Sequence, residues 1–98
     1  MVRVQYDKEK VAEFCRRNQI RKLSFFGSVT RDDFAPESDV DVLVEFEAGK
    51  TPGWRFFGME RELSEILGRK VDLNTYGFLS KYFRDDVVRE AIPCYEES

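Results

Sequence analysis

The chain has 98 residues, 42% hydrophobic and 36% charged, with sixteen Lys and Arg against nineteen Asp and Glu for a net charge of −3. This predicts one domain over residues 1–98, soluble and globular rather than disordered, and the acidic balance argues against a surface built to coat phosphate backbones. There is no histidine, which excludes His nucleophile pairs, His bases and His metal ligands, so any chemistry must run on carboxylates, Lys, Tyr, Cys or bound ions.

In chain order, Asp7 is placed to cap a helix from about Lys8 to Arg17, with Val11, Phe14 and Cys15 on one face. Ile20 to Phe26 reads as a strand with Leu23 and Phe25 on one side. Gly27-Ser28 ends it, and a short helical turn is expected through Val29–Asp33, followed by a loop over Phe34–Ser38. In Val40 to Phe46 the residues Val40, Val42, Val44 and Phe46 alternate strictly, which predicts a strand. Glu47 to Gly53 is a connector. A second helix is expected over Trp54 to Leu67, stopped by Gly68. Arg69 to Asn74 reads as a short strand. A third helix is expected over Ser80 to Ala91, with Leu79, Phe83, Val87 and Ala91 on its inner stripe, closed by Pro93 before an edge strand over Ile92–Tyr95. This order predicts an α/β (α+β) domain: a small mixed sheet with helices mainly on one face.

Cys15 and Cys94 form no C-x-x-C pair, so neither a zinc ribbon nor a thioredoxin-like site is written here. No apolar run approaches the ~20 residues of a membrane span, and residues 1–7 lack the apolar stretch of a signal peptide. With two unpaired thiols this favours a reducing cytoplasm.

The chemistry-bearing anomaly is Ser38-Asp39-Val40-Asp41-Val42-Leu43-Val44. Asp is depleted in strands, yet two stand at the start of the most regular one. Alternation puts Asp39 and Asp41 on one face about 7 Å apart along the backbone, where like charges repel unless a cation sits between them. The plain reading makes Asp39 a loop residue and Asp41 a solvent-facing strand position. The sharper one is a divalent metal site, since paired carboxylates with open positions suit Mg²⁺ and its retained waters. Asp72 interrupts the apolar strand Val71-Asp72-Leu73 in the same way. If the two strands are neighbours, three acids converge at one end of the sheet, an arrangement that cations make useful. Gly27-Ser28, between a strand and a helical turn, offers backbone N–H groups and a hydroxyl to a phosphate. Gly49-Lys50-Thr51 is a decoy for a P-loop: the first Gly would fall at Val44, and Lys50 reads as a loop lysine.

Gly27-Ser28, ten residues, then Asp39-Val40-Asp41 resembles the signature of the DNA polymerase beta-like nucleotidyltransferase superfamily. The fuller string Gly27-Ser28-Val29-Thr30-Arg31 … Ser38-Asp39-Val40-Asp41-Val42-Leu43-Val44 resembles its minimal branch, with Asp72 at the place of the third acid. One departure is Asp32, where relatives often carry Gly. The resemblance implies a nucleotidyltransferase fold and AMP transfer from ATP with two Mg²⁺ ions. It implies Asp39 and Asp41 as metal ligands, Asp72 as a third ligand or as base, and Gly27 and Ser28 as the cradle of the β- and γ-phosphates. Arg31 would neutralise phosphate or tie the loop to a nearby acid.

The minimal branch is also similar to antitoxins encoded beside a HEPN-domain ribonuclease toxin. The implied reaction there is transfer of AMP to a tyrosine hydroxyl of the toxin. On that basis the expected partner is a HEPN toxin from a neighbouring gene, in a homo- or hetero-oligomer, without membrane or nucleic acid. Two alternatives stand beside it: an antitoxin that blocks its partner by binding alone, and a nucleotidyltransferase subunit acting on a small molecule. Trp54, Phe56, Phe57, Tyr82 and Phe83 leave two readings open, a filled small core or a partner surface.

Overall fold

The structure is a computed structural model and describes residues 5–30, 38–50 and 52–97. Helix α1 (Lys8–Arg17) starts where Asp7 predicts, since the Asp7 carboxylate accepts from the backbone N–H of Glu9 at 3.0 Å and of Lys10 at 3.3 Å. Strand β1 (Ile20–Phe26) follows and runs into a 3₁₀ turn at Gly27–Thr30. Strand β2 (Val40–Phe46) and helix α2 (Arg55–Leu67) come next, with Gly68 ending the helix at φ 69°, the left-handed conformation that glycine adopts without a Cβ penalty. The chain closes with β3 (Val71–Thr75), a 3₁₀ turn at Tyr76–Phe78, α3 (Arg84–Glu90) and β4 (Ile92–Glu96).

The sheet order is β3-β2-β1-β4. β1 is antiparallel to both β2 and β4, whereas β2 and β3 are parallel. A parallel pair needs a crossover, and α2 supplies it. Register and alternation sort the faces: Leu23 pairs with Val44 and Phe25 with Val42, and these join Val40, Val71 and Leu73 in one core cluster. The cluster is completed by Val11, Phe14 and Cys15 of α1 and by Met59, Leu63 and Leu67 of α2. Each large side chain fully buried there contributes roughly 1.5–3 kcal/mol. The mixed sheet with α1 and α2 on one face is therefore the expected architecture. The residues between, Ser24, Leu43, Asp41 and Asp72, point to the other face.

The outer edge of the sheet is closed by side chains. The Val71 N–H donates to Ser64 Oγ at 3.0 Å and the Leu73 N–H to Glu60 Oε2 at 2.9 Å. One turn of α2 thus satisfies two outward-facing amides of β3 that would otherwise invite another strand.

The third helix departs from expectation. It spans Arg84–Glu90 only and has no buried residue; Phe83 is 53% exposed. Ser80 is the reason for the late start: its hydroxyl accepts from the Tyr82 N–H and its carbonyl from Phe83 and Arg84, which closes a turn first. Of the proposed inner stripe, Leu79 alone is buried, outside the main cluster. Pro93 lies inside β4, on the sheet's other edge, where its missing N–H is tolerated. The turn after β1 begins at Gly27, two residues earlier than expected, and the predicted segment 31–33 and most of the loop at 34–38 fall outside the described residues.

Candidate active site

Three strands end or begin at one edge of the acid-bearing face. β1 delivers Phe26 and Gly27 there, while the antiparallel β2 and the parallel β3 each start there. Phe26 is the cross-strand partner of Asp41, and Asp41 is the partner of Asp72. Adjacent strands lie about 4.8 Å apart, so the two acids stand side by side. The Val40 N–H donates to the Lys70 carbonyl at 2.9 Å, which pins the start of β2 to the approach of β3 and fixes this register. Asp72 is exposed and Asp41 half-buried.

Gly27 has φ +73°, and a Cβ built on it would overlap the Asp41 carboxylate, reaching Cγ at 3.2 Å. The acid therefore lies directly against the backbone of the Gly-Ser turn. Thr30 Oγ1 donates to the Gly27 carbonyl at 2.8 Å and holds that turn shut, a role for Thr30 that spacing alone did not suggest. Ser28 is half-buried. Asp39 is exposed, one residue ahead of β2, so it is a loop residue adjoining the strand. Gly27, Ser28, Asp39, Asp41 and Asp72 are thus drawn to one edge of the sheet, and Arg31 lies outside the described residues.

Among the described residues, no three Asp, Glu or Cys side chains are grouped so as to hold a metal ion between them. The open row of two acids with a third at its margin fits a hydrated Mg²⁺, which keeps several waters and binds through one or two carboxylates together with phosphate oxygens. An all-oxygen donor set suits that hard cation and disfavours softer ones.

Burial pushes the Cys15 thiol up to about 12. Burial and a hydrogen bond to Cys94 push the Tyr6 hydroxyl up to about 12. Cys94 is also raised by burial, against the hydrogen bond from Tyr6. These groups pack against the helix-covered core, so they are structural and inert at neutral pH.

A Gly-Ser turn against paired acids, on the face of a mixed four-stranded sheet opposite α1 and α2, defines the chain as a minimal nucleotidyltransferase domain. It belongs to the nucleotidyltransferase domain family, which matches residues 8–94. It is similar to a proposed protein adenylyltransferase of Methanocaldococcus jannaschii, 33% identical over 87% of this chain and 90% of that one. It is also similar to the protein adenylyltransferase MntA of Thermococcus cleftensis, 35% identical over 82% of this chain and 80% of that one.

Among solved structures, a proposed minimal nucleotidyltransferase superposes with TM-score 0.73 at 36% identity, over 88% of this chain and 87% of that one. Two further neighbours share the fold at 20% identity. One is a toxin–antitoxin with AMP-PNP, TM-score 0.74, over 94% of this chain and 75% of that one. The other is an MNT antitoxin in complex with the tri-AMPylated HEPN toxin of Shewanella oneidensis, TM-score 0.65, over 91% and 69%. No helix among the described residues is long and apolar enough to cross a membrane.

Proposed function

We propose that this chain is a protein adenylyltransferase that moves AMP from ATP to a tyrosine hydroxyl of a HEPN-domain partner from a neighbouring gene and so acts as an antitoxin in the cytoplasm. The observation that carries it is Asp41, in register with Asp72 and seated against Gly27. Together they put a carboxylate pair beside a backbone turn able to hold phosphate. Its relatives named as protein adenylyltransferases, and the toxin–antitoxin neighbours, support the reading.

Asp39, Asp41 and Asp72 would hold Mg²⁺, as two ions, which supplies charge stabilisation at the α-phosphate and at departing pyrophosphate. The Gly27-Ser28 backbone N–H groups and the Ser28 hydroxyl bind the β- and γ-phosphates, and Arg31 adds positive charge there. Asp72, the exposed member of the pair, accepts the proton of the incoming hydroxyl. The acceptor oxygen then bonds to the α-phosphorus, the bond from that phosphorus to the bridging oxygen breaks, and pyrophosphate leaves with its electron pair. The protein contributes positioning and electrostatics throughout.

The test is α-labelled ATP with magnesium and the neighbouring-gene protein. Label on the partner with native protein and none with Asp41→Ala is expected; unlabelled partner with active native protein overturns the reading. The exposed aromatic side chains favour one second reading, an antitoxin that neutralises by binding alone. Neutralisation by an Asp39→Asn/Asp41→Asn variant would select it.

A further inference from the structure

Aromatic side chains that the core has no room for gather on one surface. Trp54, just ahead of α2, is 89% exposed, Phe57 68% and Phe78 70%. They form a continuous ladder: the Trp54 and Phe57 rings lie 6.3 Å apart, Phe57 meets half-buried Phe56 edge-on at 6.4 Å, and Phe56 meets Phe78 edge-on at 5.5 Å. Such geometry holds rings in place without covering them. Gly77, the chain neighbour of Phe78, lines a concavity of about 330 Å³ together with residues 44–49, Thr75 and Tyr76. Together these make a fixed aromatic ridge and an adjoining hollow, the layout that receives an anchoring side chain of another protein.

The position is separate from the acids. Asp41 and Asp72 are each the second residue of their strands, whereas Phe78 follows the end of β3. At about 3.3 Å per residue, Asp72 to Thr75 alone spans roughly 10 Å. A body seated on the ladder leaves the acid row uncovered.

We propose that the ladder of Trp54, Phe57, Phe56 and Phe78 is the docking face for the protein that carries the acceptor hydroxyl, which presents aliphatic side chains to the rings. This rests on the reading that the chain modifies a partner protein. Area selects this occupant over a second copy of the chain. The exposed rings offer roughly 500 Å², short of the ~800 Å² per partner of a stable interface and within the range of transient encounters, below ~1,200 Å² in total. An enzyme and its protein substrate meet in such an encounter, whereas a stable dimer needs the larger area.

The experiment compares full-length native protein with Trp54→Ala/Phe78→Ala, using the purified protein of the neighbouring gene as acceptor. Both side chains project into solvent, so the variant folds, which its melting temperature checks. The expected result is an acceptor KM raised at least tenfold, with kcat and the KM for ATP within twofold. An unchanged acceptor KM overturns the proposal. So does sedimentation showing that native protein self-associates through this face and the variant does not. Should native protein transfer nothing, calorimetry of the same pair separates the two ideas: binding weakened tenfold by the variant upholds the docking face while the chemistry falls, and equal or absent binding ends both.

Discussion

Gly27 and Asp41 occupy space that only a glycine can share. The carboxylate lies where a Cβ on Gly27 would be, and the backbone there is at φ +73°. Gly27→Ala therefore meets both a backbone penalty and a collision. A loss of about 1–2 kcal/mol of stability is expected, and transfer activity should fall much further than stability because the collision displaces Asp41. Thermal melts read alongside transfer rates check this; a variant with native activity would show that the close approach is incidental.

Asp41 and Asp72 are cross-strand neighbours of like charge, and such pairs destabilise a sheet by about 0.2–1 kcal/mol. Without divalent ions, Asp72→Asn is expected to raise stability by that amount while slowing transfer by about 10²-fold or more. Denaturant melts in chelator, beside single-turnover transfer assays, test both halves.

Metal should act through the same pair. With ATP present, Mg²⁺ or Mn²⁺ is expected to raise the melting temperature of native protein, and chelation to reverse the rise. Asp41→Asn should show neither response. An equal response in the variant would place the ion elsewhere.

The closed edge of β3 predicts a local effect. Glu60→Ala leaves the Leu73 amide without its acceptor, at a cost of about 1–3 kcal/mol. Ser64→Ala does the same to Val71. Hydrogen exchange at the Leu73 and Val71 amides, respectively, should accelerate before that of the central strands.

The thiol and phenol of the core set the alkaline limit. Cys15, ordinarily at 9.0, and Tyr6, ordinarily at 10.0, are both raised to about 12 in the folded chain. The folded state holds these protons more tightly, so their contribution is full below pH 9 and is lost as the pH rises toward 12. Denaturant midpoints should be flat at neutral pH and fall over that window, and Cys15→Ala should flatten part of the decline.

Much of the fold and most of the candidate site were legible in the sequence for a common reason. α1, β1 and β2 match their expected limits because Asp7 is a cap and because Val40, Val42 and Val44 alternate against a buried face. Asp41 and Asp72 stood out because Asp is depleted in strands and each interrupts an otherwise apolar one. Their register was not legible, since it is set by the crossover and by the Val40–Lys70 hydrogen bond, which no local pattern encodes. The third helix misled for a related reason. The spacing of Phe83, Val87 and Ala91 says that they share a side, but not whether anything covers it. The surplus of aromatic residues could be counted in the sequence, whereas its exposure depends on how α2 meets the turn after β3.

The crossover has a consequence for how such a domain diverges. The acids are aligned by direct strand pairing, while Trp54 is hung on the connector between β2 and α2. Insertions or deletions around Gly49 and Gly53 can re-aim Trp54 without disturbing the acid row. A lineage of these proteins can therefore alter the docking face proposed above while the acid row is inherited intact.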